Sequence, residues 1–387
     1  MKSETTAEAA PSHSPSPSSP RPRPPLSSSI LFQSTNAATP ITLIDIPRSL
    51  EEAQAPPGHH RPPARIISGP PPRTPFVTPE PRRRGRGHDA TPASARSAGA
   101  QIAELMAAAG ARGALEELGR VYAGPFCLPR VCDAVAVDAD GDGDGDAGTD
   151  TARMGGQAEA ASSRVRIPPG AEYLHGSIQD LRQRFIDSAP QFKLVVLDPP
   201  WPNRSVRRNR NSSKYSTASN ISEMRQLLSS IPVASHLAPD GLVAVWITNK
   251  ASVFDLMTCP RGVFASWGVE LVTQWTWLKV TASGEAVFDI DSSWRKPWET
   301  LLIAKRVGAR VPGGLELKPR VIVAVPDVHS RKPNLRRLFG HVFGGGEEQE
   351  AEEGWGLEVF ARNLTAGWWS WGDQVLHFQG AEHWVDG

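Results

Sequence analysis

Asp198, Pro199, Pro200 and Trp201 close the stretch QFKLVVLDPPW, residues 191–201. Each residue type has a definite capability. An ionised carboxylate only accepts hydrogen bonds. Proline lacks a backbone N–H and restricts φ, and Pro200 also restricts the residue before it. The carbonyls of the proline pair are therefore expected to stand out as acceptors with no local donor to occupy them. An indole offers a flat face on which a ring can stack. Two acceptors beside a stacking face suit a planar ring with an exocyclic amine, and adenine is such a ring. Its N6 is a weak nucleophile, because the lone pair is delocalised into the ring. Accepting both amine hydrogens favours a pyramidal nitrogen and turns the lone pair toward an electrophile. The protein's share of that work is orientation and electrostatics rather than a covalent intermediate. The blander reading is that Asp-Pro-Pro simply turns the chain after a strand.

The elements that must carry this motif are legible from patterning. Apolar β-type runs lie at 194–198, 241–248, 269–280, 300–305, 320–325 and 356–361. Helical patterns fall between several of them. Asn220 is the expected N-cap of a helix over 220–230, with Glu223 three residues on, and Ile221, Met224, Leu227 and Leu228 share a face. Leu335, Leu338, Phe339 and Val342 mark a second helix over 333–343. Ile102, Leu105 and Met106 show helical spacing within an Ala-, Leu- and Glu-rich segment over 98–122. Continuous apolar strands alternating with amphipathic helices predict an α/β fold: a mostly parallel sheet with helices on both faces. Ligands of such sheets bind outside the carboxyl ends of the strands, where Asp198 stands.

Of 36 prolines, 20 lie in residues 1–100, whereas all 12 tryptophans lie at or after Trp201. Residues 1–97 are therefore expected to be a disordered Pro/Ser/Arg-rich tail, followed by a helix and extension over 98–137. Residues 138–163, which begin DADGDGDGD, are expected to be a disordered acidic insertion. Their likeness to a calcium loop fails because position twelve is threonine, and their G-x-G-x-x-G would repel a phosphate with its aspartates. The globular domain is expected over 164–387. Arg82, Arg83, Arg84 and Arg86 form a basic knot that suits nuclear import or nucleic-acid contact, the equal alternative being a merely solvated stretch of tail. Net charge is +1, so bulk charge points to no partner. Three cysteines supply neither a disulfide framework nor a four-ligand zinc set, no metal site is expected, and a reducing intracellular compartment fits. The apolar runs are too short to span a membrane, and the N-terminus has no apolar signal core.

LVVLDPPWPNRSVRR, VHSRKP and LEVFARNLTAGWWSWGDQV resemble the DPPW-type adenine-N6 methyltransferases, the family that includes the mRNA N6-adenosine methylating subunit. The basic stretch after DPPW, the segment WRKPWE at 294–299, and FARN followed by GWWSWG are most similar to the methyltransferase-like protein 4 branch. The likeness covers roughly residues 165–387, and weakly 120–137. It implies a Rossmann-like domain, S-adenosylmethionine as the methyl donor, and a catalytic motif that precedes the cofactor-binding strand. By this resemblance Asp198, Pro199, Pro200 and Trp201 are catalytic. Ser177, Ile178, Asp198, Lys332, Arg362, Asn363, Asp373 and Gln374 are expected at the cofactor. Ser177 departs from an acidic residue common in the family, and Asp373 from an asparagine. Asn203, Arg204, Arg207, Arg208, Tyr215, Lys296, Trp298 and Glu299 are expected at the substrate.

The basic loop 204–214 suits a phosphate backbone, so RNA or DNA is the expected partner. Glu299 is expected to accept from the target base, the alternative being a salt bridge to Lys296. The leading expectation is adenine-N6 methylation of nucleic acid, small nuclear RNA among the candidates, in the nucleus or otherwise the cytoplasm. A catalytically weak nucleic-acid-binding subunit that supports an active partner is the alternative. Methylation of a protein glutamine would leave the basic loop without a purpose.

Overall fold

Each apolar run read above becomes a strand in the computed structural model, which describes residues 28–34, 39–59, 62–77, 97–132, 164–202, 220–292, 295–311, 317–344 and 355–386. The strands are β1 Ile30–Gln33, β2 Ile41–Ile44, β3 Ala64–Ile66, β4 Glu172–His175, β5 Phe192–Leu197, β6 Leu237–Ile247, β7 Val269–Lys279, β8 Trp298–Arg306, β9 Arg320–Ala324, β10 Gly356–Val359, β11 Trp369–Gly372 and β12 Trp384–Asp386. The α-helices are α1 Ile46–Glu52, α2 Ala98–Val121, α3 Ile178–Ser188, α4 Ile221–Ser230, α5 Val233–His236, α6 Ala251–Thr258, α7 Val263–Ser266 and α8 Arg336–Phe343. Among the described residues ten strands form one sheet in the order β1-β2-β9-β7-β8-β6-β5-β10-β11-β4, and β12 pairs with β3 apart from it. From β6 across β5, β10 and β11 to β4 every pairing is parallel. β8 runs antiparallel to both β6 and β7.

Both faces of the central strands are covered, as their unbroken apolar character requires. Side chains alternate across β5. Val195 and Leu197 join a core with Phe185 of α3, Met224 and Leu228 of α4, and Val253 of α6. Leu194 and Val196 face the other way, toward Leu50 of α1 and Leu338 and Phe339 of α8. The cap of α4 forms as expected. Asn220 Oδ1 accepts from Glu223 N at 2.9 Å, and Asn220 Nδ2 donates to Glu223 Oε1 at 2.8 Å. That pair satisfies one of the orphan donors at a helix start. α8 ends at Gly344, whose φ of 65° is the left-handed stop that glycine adopts without strain.

Two expectations are corrected. Residues 1–97 are not uniformly a tail. β2 is buried along its whole length and pairs in parallel with β9, β1 extends the sheet beyond it, and α1 packs on the core beside β5. Composition averaged over a hundred residues hid the apolar segment ITLIDIPRSL. Pro47 there sits in the first turn of α1, where proline is tolerated, and Asp45 caps that turn by accepting from Arg48 N at 2.9 Å. The second correction concerns α2. It forms as expected, but Ile102, Leu105 and Met106 are 57%, 69% and 50% exposed. The buried face is Ala107, Ala108, Ala111, Ala114 and Leu118, packed on β2, β7 and β9. Small side chains let the helix lie close to the sheet: a Cβ added at Gly110 would stand 3.2 Å from Val321 Cγ2. The basic knot at 82–86 and the acidic segment 138–163 lie outside the described residues.

Candidate active site

The chain leaves β5 toward β6 on one side, while β10 leads to β11 on the other. The carboxyl ends of β5 and β10 therefore flank the point where strand order reverses, which is where open α/β sheets bind ligands. Asp198 follows β5 directly, and its N–H donates to Val359 O of β10 at 3.4 Å. Arg362 and Asn363 follow β10. The loop after β9 crosses to the same place and brings Lys332. Asp198, Lys332, Arg362 and Asn363 thus line one cleft, with Glu358, Trp246 and Leu50 of α1 among its walls.

Lys332 Nζ lies 3.2 Å from Asp198 Oδ2 and 3.1 Å from Glu299 Oε2. Because β8 runs antiparallel to its neighbours, its beginning meets the carboxyl ends of β6 and β7, and so Glu299 reaches the site. The ammonium also sits near the faces of Trp246 and Trp277, at 5.9 and 5.7 Å. Burial pulls Lys332 toward neutrality, but the carboxylates of Asp198 and Glu299 outweigh it and raise its pKa. Burial likewise opposes ionisation of Glu299, yet Lys279 and Lys332 bring its carboxyl down to about 2. Among the described residues Glu358 has no such ion pair. Burial, reinforced by the Asp198 carboxylate, pushes it up to about 7 against the pull of Arg362 and Lys332.

The loop bearing Lys332 is held from several sides. His329 and Ser330 both adopt φ of 53°, a left-handed conformation costly for residues with a side chain. Arg362 fastens them. Its Nη1 donates to His329 O at 2.7 Å and its Nη2 to Ser330 O at 3.1 Å. Arg331 Nη1 donates to Asp327 Oδ2 at 3.1 Å and to Ile67 O at 2.7 Å, which ties the loop to the N-terminal segment.

The DPPW turn differs in two ways from expectation. Pro199 O is not left open, because Trp201 N donates to it at 2.8 Å; the oxygen keeps its second lone pair. Trp201 is not an open platform. Its indole packs into the core, 7% exposed, and Nε1 donates to Trp246 O at 2.9 Å. Lys250 Nζ donates to Pro202 O at 2.9 Å and steadies the far end of the turn. Trp201 is an anchor and a wall.

Two substrate expectations also change. Trp298 is 2% exposed and packs with Ala107 and Leu278, so it is a core residue. Lys296 pairs with Glu104 of α2 at 3.2 Å and lies over the Trp298 ring, outside the cleft. Glu299 is paired with Lys279 and Lys332 rather than with Lys296. Asn203, Arg204, Arg207, Arg208 and Tyr215 lie outside the described residues.

Ser177 and Ile178 follow β4, and Asp373 and Gln374 follow β11, so the four stand at neighbouring strand ends further along the same sheet edge. Gly372 pairs with His175, and His175 Nε2 lies 3.1 Å from Asp373 O. Ser177 Oγ caps α3 by accepting from Asp180 N at 3.0 Å, and Ile178 is buried. Partial burial and the nearby Asp180 raise the pKa of Asp373. With strands roughly 4.8 Å apart, this second cluster stands on the order of 10–14 Å from Asp198.

The MT-A70 family model matches residues 192–374. The N6-methyladenosine RNA methyltransferase MTA1 of Cryphonectria parasitica is 47% identical over 366 residues, covering 92% of this chain and 94% of that one. The chain belongs to the MT-A70 family. A second N6-methyladenosine RNA methyltransferase MTA1, from Pyricularia oryzae, is 43% identical over 387 residues and covers 93% and 97% of the two chains. The N(6)-adenine-specific methyltransferase METTL4 of Mus musculus is 35% identical over 230 residues, 57% of this chain and 45% of its own. The methyltransferase-like protein 4 branch read from the motifs is therefore a relative, at lower identity than the MTA1 proteins.

The MT-A70 cleft contains residues that sequence reasoning missed. Glu358 interrupts the apolar run LEVF on a strand buried between two others, and a lone acid in such a strand was the available signal. Lys279 and the Trp246–Trp277 floor carried no comparable sign, since each reads as ordinary strand sequence. The donor set fits S-adenosylmethionine. Asp198 and Glu358 suit its cationic groups, the half-buried Glu358 carboxyl most of all. Lys332 suits its carboxylate, and the second cluster suits ribose and adenine at the far end.

Proposed function

We propose that RNA is the nucleic acid this chain methylates and that Asp198 receives the adenosine amine. As a member of the MT-A70 family, the chain is an adenine-N6 methyltransferase of nucleic acid that uses S-adenosylmethionine. Two relatives that align over more than nine-tenths of the chain are both named for RNA. The observation that carries the residue roles is the Asp198 carboxylate at the strand-order reversal, 3.2 Å from Lys332 Nζ in a cleft shared with Asn363.

Asp198 has Oδ2 engaged by Lys332, so Oδ1 is available for one amine hydrogen. Pro200 O, or the second lone pair of Pro199 O, is the acceptor for the other. These bonds favour a pyramidal N6 and direct its lone pair. The amine gives up one proton on methylation, and Asp198 is the base bonded to it. Lys332 spends two of its three donors on Asp198 and Glu299 and keeps a third for an incoming carboxylate. Asn363 offers both donors and acceptors beside it, and Glu358 offers a counter-charge. The bound cofactor supplies a methyl group activated by a sulfonium. Asp373 and Gln374 take the ribose hydroxyls, and Ser177 with Ile178 borders the adenine. The basic segment that begins at Asn203, with Arg204, Arg207, Arg208 and Tyr215, takes the RNA backbone. Action in the nucleus accords with an RNA substrate and with the basic knot at 82–86.

The test is nucleoside mass spectrometry after incubation of the purified chain with S-adenosylmethionine and matched RNA and DNA strands. N6-methyladenosine in RNA, lost in a folded Asp198→Asn variant, is the expected result. Methylated DNA with untouched RNA overturns the choice of RNA, and full activity in Asp198→Asn overturns the role of Asp198.

A further inference from the structure

Four charged side chains alternate in sign along the carboxyl edge of the sheet. Asp198 faces Lys332 at 3.2 Å, Lys332 faces Glu299 at 3.1 Å, and Glu299 faces Lys279 at 2.7 Å. They come from four places in the chain: the end of β5, the loop after β9, the start of β8 and the end of β7. Both ammonium groups sit by the Trp277 ring, Lys279 at 4.7 Å and Lys332 at 5.7 Å. Lys279 is the outermost member and lies one full ion pair away from the cleft-lining Lys332.

The order of charges gives Lys279 a task. Each oxygen of Glu299 is committed to one ammonium, Oε1 to Lys279 and Oε2 to Lys332. A partly buried carboxylate that loses one partner leans more heavily on the other. Without Lys279, Glu299 Oε1 would also turn to Lys332, and the ammonium would shift toward Glu299 and away from Asp198. Asp198 would then lose the contact that occupies Oδ2 and leaves Oδ1 for the amine. The low pKa of Glu299, about 2 despite burial, accords with its dependence on both ammonium groups.

We propose that Lys279 is a positioning residue for methyl transfer: by neutralising Glu299 it leaves Lys332 bonded to Asp198. The proposal rests on Asp198 being the acceptor for the amine. Lys279→Met is expected to lower kcat about tenfold, the size of one misplaced charge-assisted hydrogen bond, with RNA affinity changed less than twofold. Lys279→Arg keeps the charge and is expected to recover most of kcat. In a Glu299→Gln background, Lys279→Met is expected to add nothing, since the charge it neutralises is gone.

An equal drop in that background, no rescue by arginine, or weakened RNA binding at unchanged kcat would each overturn the proposal. If Lys279→Met does not fold, the double variant carries the test, because it removes both charges together. A kcat below that of Glu299→Gln alone then counts against Lys279. Asp198→Asn is assayed in parallel. Its inactivity beside a fully active Lys279→Met overturns only the role of Lys279, whereas an active Asp198→Asn overturns the reading beneath it.

Discussion

Replacing Glu358 with glutamine should make the protein more stable at pH 8 than at pH 5, relative to the wild type. Glu358 sits on β10 between β5 and β11, in the wall of the cleft. Burial and the Asp198 carboxylate raise its pKa from 4.5 to about 7. A carboxyl raised on folding contributes stability that is fully present below 4.5 and is lost as pH rises through 7. At about 1.4 kcal/mol for each pH unit between those values, the ionised glutamate costs the folded state about 3 kcal/mol above pH 7. Glutamine keeps the shape and cannot ionise. Most of the difference between the two proteins should therefore develop between pH 5 and 8. Urea denaturation of both, without cofactor, at each pH unit across that range measures it. Asp45 and Glu51 are also raised by burial, but they are common to both proteins and cancel in the difference. A difference that stays flat from pH 5 to 8 would refute the reasoning. The same charge should draw the cationic cofactor, so wild-type affinity for S-adenosylmethionine should rise through pH 7 while that of Glu358→Gln does not.

Three other outcomes are expected. Arg362→Ala frees the carbonyls of His329 and Ser330, and the strained loop should relax and carry Lys332 away; calorimetry should show cofactor affinity falling about tenfold, with Arg362→Lys between the two, and an unchanged affinity would reject the latch. Removing residues 28–77 deletes β1, β2, α1 and β3 and uncovers the edge of β9, so the truncated chain should aggregate, and a soluble, cofactor-binding product would show that this segment is dispensable. Arg207→Glu with Arg208→Glu should weaken RNA binding and flatten its salt dependence by roughly one to two in log–log slope, and an unchanged slope would reject the basic loop as a phosphate contact.

Patterning in the sequence was a good guide wherever a residue's neighbours along the chain decide its state. The central strands follow from apolar runs long enough to be buried on both faces, and the α4 cap follows from Asn220 and Glu223 alone. The ligand-binding edge was readable because an acid and two prolines ended one of those strands. Patterning misled where burial depends on what lies across the fold. Proline content hid β2 and α1, whose apolar residues matter only because β9 and α8 stand opposite them. Helical spacing singled out Ile102, Leu105 and Met106 on α2, while the sheet selected the alanine face because it permits close approach. Trp201, expected as a stacking face, and Trp298, expected at the substrate, are drawn into cores by the apolar surface around them.

An α/β chain with an Asp-Pro-Pro-Trp turn at a strand's carboxyl end follows from local properties, strand periodicity and proline's missing N–H, that the order of residues carries on its own. What Asp198 faces depends on how distant segments come together in the fold. Lys332 lies 134 positions later, Glu299 enters because β8 runs against its neighbours, and Lys279 follows from Glu299. Ion pairs form between groups a few ångströms apart in space, and strand order sets those distances, which no spacing along the chain encodes.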